Sequence, residues 1–102
     1  MNYYAYTPIT DDPIVLDLTG CQGWDDLHQR IRKAFGFPAY YGENWDAMWD
    51  CLQDIFWKTD QRQIHIKGYQ TMGENLQDYC RDMRDILCLL EERCPNVVVK
   101  YL

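Results

Sequence analysis

The sequence predicts an α/β domain in which a small three-stranded parallel sheet is covered by helices. Three short apolar segments, Ile14–Leu18, Gln63–Lys67 and a last one opening at Val97, have the length and composition of strands. Stretches with apolar residues at helical spacing separate them, and single strands joined by helical crossovers run parallel. The chain has 102 residues, which suits one domain spanning 1–102. A chain of that size buries roughly 60 to 70% of its unfolded surface, enough for a modest core.

Taken in order, residues 1–12 form an irregular N-terminal extension with three tyrosines and Pro8, expected to pack on the surface or fray. Ile14-Val15-Leu16-Asp17-Leu18 is the first strand, closed by the turn residues Thr19-Gly20. Trp24, Leu27, Ile31, Ala34 and Phe35 then recur at helical spacing, and Gly36 stands where a helix C-terminus favours glycine. Asp25 and Asp26 in the first turn, with Arg30, Arg32 and Lys33 toward the end, complement the helix dipole. Phe37–Glu43 is a loop, and Asn44 caps a second helix running to about Trp57. Ile64 and Ile66 alternate with polar neighbours in the second strand, which Gly68 ends. Thr71 with Glu74 fits a capping box for one long helix carrying Leu76, Tyr79, Cys80, Met83, Ile86, Leu87 and Leu90 on one side. Asp78, Arg81, Asp82 and Asp85 form its solvated face, and Pro95 follows it before the Val97-Val98-Val99 strand.

The net charge of −6 argues against nucleic acid as a direct ligand and favours either simple solubility or a basic partner, so the distribution of charge decides between them. No apolar run approaches the roughly 20 residues of a membrane span. Met1–Pro8 has neither a basic residue nor an apolar core, so it does not read as a secretory signal, and a cytoplasmic location is expected. The five cysteines, at 21, 51, 80, 88 and 94, have no C-x-x-C spacing and no zinc-finger histidines. They read as free thiols of a reducing compartment, and neither a metal nor another cofactor is implied.

The second helix carries the functional signal. Trp45, Met48, Trp49, Leu52, Ile55 and Phe56 cluster on the side expected to face the core. Asp46, Asp50 and Asp54 fall at i, i+4 and i+8 on the other side, with Gln53 among them and Glu43 just before. Like charges at that spacing repel by about 0.2 to 0.5 kcal/mol per pair. Only Asp46 is close enough to the N-terminus for dipole compensation. No Lys or Arg occurs between Glu43 and Trp57. Tyr40, Tyr41, Trp45 and Trp49 surround the acids; Trp45 is assigned to the core, whereas the two loop tyrosines have no evident core role. Acids beside interface-type aromatics suit a cationic cleft.

Leu27-His28-Gln29 and the run Phe37-Pro38-Ala39-Tyr40-Tyr41-Gly42-Glu43-Asn44-Trp45-Asp46-Ala47-Met48-Trp49-Asp50-Cys51-Leu52 closely resemble the barstar family. The order of elements agrees from Ile14 to Leu102, and the segment before Ile14 is extra. The resemblance implies a ribonuclease inhibitor of immunity type, whose loop and second helix enter the active site of a basic, secreted or toxin bacterial ribonuclease. By position the matching residues are Tyr40, Gly42, Asn44, Asp46, Trp49 and Asp50, with Tyr41, Gln53 and Asp54 added as neighbours on the same surface. Asp50 resembles the carboxylate that takes the place of an RNA phosphate, and Asp46 a flanking anion. A free monomer forming a 1:1 complex is expected, because the functional face must stay open.

Departures at four positions accompany the match. Cys88 stands near where the family has a further acid on its last long helix, with Glu91 and Glu92 close by but not equivalent. Gln53 replaces a small hydroxyl residue and Asp54 a glycine, and Ile55 replaces an aromatic residue. These changes leave open a second reading, a barstar-like interaction module whose partner is not a ribonuclease. An enzyme is disfavoured: Asp46 and Asp50 at i, i+4 point outward without a cleft, His65 lies between isoleucines on a strand, and His28 belongs to an amphipathic helix.

Overall fold

The computed structural model describes residues 5–57 and 61–102. Its elements are β1 (Ile14–Asp17), α1 (Trp24–Phe35), α2 (Trp45–Phe56), β2 (Arg62–Lys67), a 3-10 turn (Tyr69–Thr71), α3 (Glu74–Tyr79), α4 (Arg81–Arg93) and β3 (Val97–Tyr101). The three strands form one parallel sheet in the order β1-β2-β3. The predicted fold class is the one observed.

Register explains the core. Ile14 pairs with Ile64 and Ile64 with Val99, while Leu16 pairs with Ile66 and Ile66 with Tyr101. These rows lie on one side of the pleat, where Ile14, Leu16, Ile64 and Ile66 are fully enclosed. The alternate positions Val15, Asp17, Gln63, Lys67 and Lys100 face solvent. Helices cover the apolar side: α1 packs on β1, α4 on β3, and α2 on α4. Leu27, Ile31, Met48, Leu52, Phe56, Met83, Leu87 and Leu90 complete the interior.

Two expectations for the last helical segment are corrected. The single long helix is two, α3 and α4, broken at Cys80, whose φ of −78° and ψ of 0° turn the chain. Cys80 is completely buried, and the break lets Leu76 on one side and Met83 on the other reach the same core. Nothing in the local sequence announces this, since neither Gly nor Pro is present. Nor does Thr71 cap the helix. Its hydroxyl donates to the Gly68 carbonyl at 2.6 Å inside the 3-10 turn, and the N-cap of α3, two residues later, is Gly73, which offers no side-chain cap. Trp24, counted in the apolar stripe of α1, is 64% exposed and lies on the Tyr79 ring at 5.1 Å between centroids.

The N-terminal extension has no regular structure over residues 5–11, and it is seated on the domain. Thr7 N–H donates to the Gly36 carbonyl at 2.8 Å, and Arg62 Nη2 donates to the carbonyls of Ile9 and Asp11 at 3.0 and 2.7 Å. Gly36 ends α1 at φ 69°, and a Cβ there would overlap the Thr7 carbonyl. Glycine is therefore required at Gly36 by both conformation and space. The part of the extension at residues 1–4 lies outside the described residues.

Candidate partner-binding face

Loop 37–44 is held from below by an aromatic stack built from three elements. Centroid distances run 5.1 Å from Trp24 to Tyr79, 4.8 Å from Tyr79 to Trp45, and 4.9 Å from Trp45 to His28. His28 and Tyr41 follow at 5.8 Å, and Tyr41 and Phe37 at 5.0 Å. His28 is 1% exposed. Its Nδ1 lies 2.8 Å from the Tyr41 hydroxyl and its Nε2 2.8 Å from that of Tyr79. A neutral imidazole donates through one nitrogen and accepts through the other, so one tyrosine accepts and its counterpart donates. Burial pushes the His28 pKa below its ordinary value against weaker pulls from Glu43 and Asp25. Burial likewise raises the Tyr41 and Tyr79 hydroxyls, so the network is uncharged at neutral pH.

This overturns the expectations for two residues. Tyr41, expected to lack a core role, is 6% exposed and belongs to the core. His28 is a buried brace between α1, the loop and α3. Trp45, assigned to the core, is partly exposed and packs at its margin. A sequence signal for His28 did exist: it shares the inner face of α1 with Leu27 and Ile31.

Above this base the loop turns sharply. Tyr41 N–H donates to the Pro38 carbonyl at 3.0 Å. Glu43 takes a left-handed φ of 51°, which costs a non-glycine residue on the order of 1 kcal/mol. Gln29 Nε2 holds its carboxylate at 2.6 Å. Asn44 caps α2, with Oδ1 accepting from Ala47 N–H at 2.8 Å and Nδ2 donating to the Gly42 carbonyl at 3.1 Å. Both ends of the Asn44 amide thus shape the loop.

α2 presents its acids outward. Asp46, Asp50 and Asp54 are exposed, while Met48, Cys51, Leu52 and Phe56 are buried on the opposite side. Trp49, Gln53 and Ile55 are half-buried at the flanks, and Tyr40 is 40% exposed beside them. Among the described residues the ion pairs are Arg30–Asp26 and Arg81–Asp78, so neither neutralises an acid of α2. The result is a helix whose negative stripe meets no cation among the described residues, next to a braced, partly aromatic loop. One contact had no counterpart in the sequence reading: Tyr6 of the extension donates its hydroxyl to Asp54 Oδ2 at 2.7 Å.

The sequence model of the family described as Barstar (barnase inhibitor) matches residues 12–100. The chain belongs to the Barstar family. A protein of Bacillus subtilis (strain 168) named "Putative ribonuclease inhibitor YrdF" is 28% identical over 83 residues, covering 81% of this chain and 89% of that protein. Family and relative are thus named for inhibitors rather than enzymes. The Barstar-family match begins after Tyr6, so the contact with Asp54 joins a residue inside the match to one outside it. Among the described residues no helix is long and apolar enough to cross a membrane, and no group of three or more His, Cys, Asp or Glu residues could hold a metal ion.

Proposed function

We propose that this protein inhibits a basic ribonuclease of the barnase type by filling its active site with loop 40–44 and the acidic side of α2. The observation that carries the reading is the pair Asp46 and Asp50. Both are exposed, one helical turn apart, unpaired among the described residues, and set on a helix whose other side is locked into the core. A ribonuclease cleft gathers Arg, Lys and His to hold RNA phosphate. A carboxylate on α2 meets those groups with charge-assisted, bidentate-capable hydrogen bonds and has no phosphodiester to cleave. Asp50 is the phosphate mimic and Asp46 its flanking anion. Tyr40 and Trp49 supply flat apolar area at the margin, where aromatic residues anchor interfaces.

The braced loop matters energetically. Binding costs conformational entropy whenever a loop must be ordered, and this loop is already ordered by the Glu43, Asn44 and His28 contacts. The net charge of −6 steers the protein toward a basic enzyme. A 1:1 complex with a monomeric inhibitor follows from one such face per chain. The role is immunity: a free inhibitor in the cytoplasm protects a bacterial cell from a ribonuclease that it makes for export or meets as a toxin.

Titration of the purified protein into barnase, with RNA cleavage as the readout, tests this directly. Activity should fall linearly to zero at equimolar inhibitor, and the mixture should sediment as a 1:1 complex. Undiminished cleavage with inhibitor in large excess would refute the reading.

A further inference from the structure

We propose that the N-terminal segment is part of the partner-binding face, with Tyr6 acting as a positioning residue that holds Asp54 as a third carboxylate at its rim, ready for a cationic side chain beside the ribonuclease cleft. The proposal rests on the inhibitor reading above and extends it to residues outside the Barstar-family match.

Four observations support it. The Tyr6 hydroxyl donates to Asp54 Oδ2 at 2.7 Å across 48 positions of sequence, and among the described residues no ion pair engages that carboxylate. The Tyr6 ring also packs against the hydrophobic core, as does Ile9, so the segment is seated by apolar contact as well. The segment's seat does not depend on that hydroxyl. Thr7 N–H on the Gly36 carbonyl, Arg62 on the Ile9 and Asp11 carbonyls, and Gln63 N–H on Asp12 Oδ1 at 2.9 Å anchor it independently. Lastly, Asp54 stands in the last turn of α2, where no basic residue is present and the helix carbonyls repel an acid. Its placement does not serve the helix.

Asp54 lies eight residues beyond Asp46, about 12 Å along the helix axis, so it widens the negative face rather than deepening its centre. An exposed aspartate at a helix end samples several rotamers. Hydrogen bonding to Tyr6 confines it without neutralising it. A confined carboxylate loses less entropy when it pairs with a cation of the partner.

Dissociation constants for barnase, measured with the wild type, Tyr6→Phe, Asp54→Asn and the double variant, test the proposal. Tyr6→Phe keeps the ring and removes only the donor. Each single change should weaken binding about five- to tenfold, the scale of a charge-assisted hydrogen bond or a rim ion pair. The double variant should bind no worse than Asp54→Asn, because Tyr6 acts through Asp54. In the free protein, the Hα–Hβ couplings of Asp54 should report one rotamer in the wild type and averaging in Tyr6→Phe, with melting temperatures nearly equal. Unchanged affinity in both single variants, or fully additive losses in the double, would overturn the proposal while leaving the inhibitor reading intact. Failure of the wild type to bind barnase would instead overturn that reading, and this one with it.

Discussion

Replacing Asp50 by alanine should weaken inhibition and strengthen the fold at once. In the free protein Asp50 is exposed and sits between Asp46 and Asp54, with no cation against it among the described residues. Removing it relieves two i,i+4 repulsions of about 0.2 to 0.5 kcal/mol each. It also exchanges a poor helix former for the best one, a gain of about 0.6 kcal/mol. The sum is about 1.0 to 1.6 kcal/mol at low ionic strength. A domain of this size loses about 0.2 kcal/mol of stability per degree near its midpoint, so the melting temperature should rise by roughly 5 to 8 °C. In the complex the same change leaves the enzyme's phosphate-binding cations buried and unpaired. That costs about 2 to 5 kcal/mol, a range to which barnase complexes themselves contribute. It corresponds to a loss of about 30-fold to several thousandfold in affinity. The assay is a dissociation constant for barnase paired with a thermal melt of the free variant. Affinity within threefold of wild type would refute the active-site role of Asp50. A lost affinity accompanied by a fallen melting temperature would refute the account of the free helix.

Four further predictions concern encounter with the enzyme, pH and the thiols. The association rate with barnase should drop steeply between low and high salt, because the stripe from Glu43 to Asp54 steers encounter; stopped-flow rates that stay flat would remove electrostatic steering. His28 has its pKa lowered from the ordinary 6.5 by burial, so the unfolded chain takes up a proton there more readily than the folded one. Stability should therefore be complete above about pH 6.5 and decline as pH falls toward the depressed folded value. Thermal melts at pH 7.5 and 5.5 should show a smaller drop for His28→Gln than for wild type, and equal drops would contradict the assignment. The five cysteines should be replaceable together with inhibition retained, at a stability cost of a few kcal/mol from the buried ones. Cys88 alone is exposed, whereas the Cys80 thiol is enclosed and pushed up to about 12 by burial. A thiol reagent followed by mass spectrometry should modify Cys88 first, and equally fast labelling of Cys80 would contradict this.

What the sequence determined by itself was which side of each strand and of α2 faces inward, because that repeats with a local period. Alternation in Gln63–Lys67 placed Ile64 and Ile66 inward, the turn from Thr19 to Gly20 closed β1, and the fourfold spacing of Asp46, Asp50 and Asp54 put all three acids on the outer side of α2. The Tyr-Tyr-Gly-Glu-Asn run also located the loop and its cap, because an Asn side chain and the first turn of a helix are near neighbours along the chain. Tertiary structure alone decided which of two adjacent tyrosines turns inward. Tyr41 does so because its partner is His28, 13 positions away, which in turn needs Tyr79, 51 positions further on. The same holds for the break at Cys80, where a shared core overrides an apolar stripe that would suit an unbroken helix. It holds most plainly for Asp54, whose place in the acidic stripe the sequence shows but whose contact with Tyr6, 48 positions earlier, it does not. Periodicity is a property of neighbours in sequence. A hydrogen bond between distant side chains exists only once the sheet and helices have packed, and no local pattern encodes it.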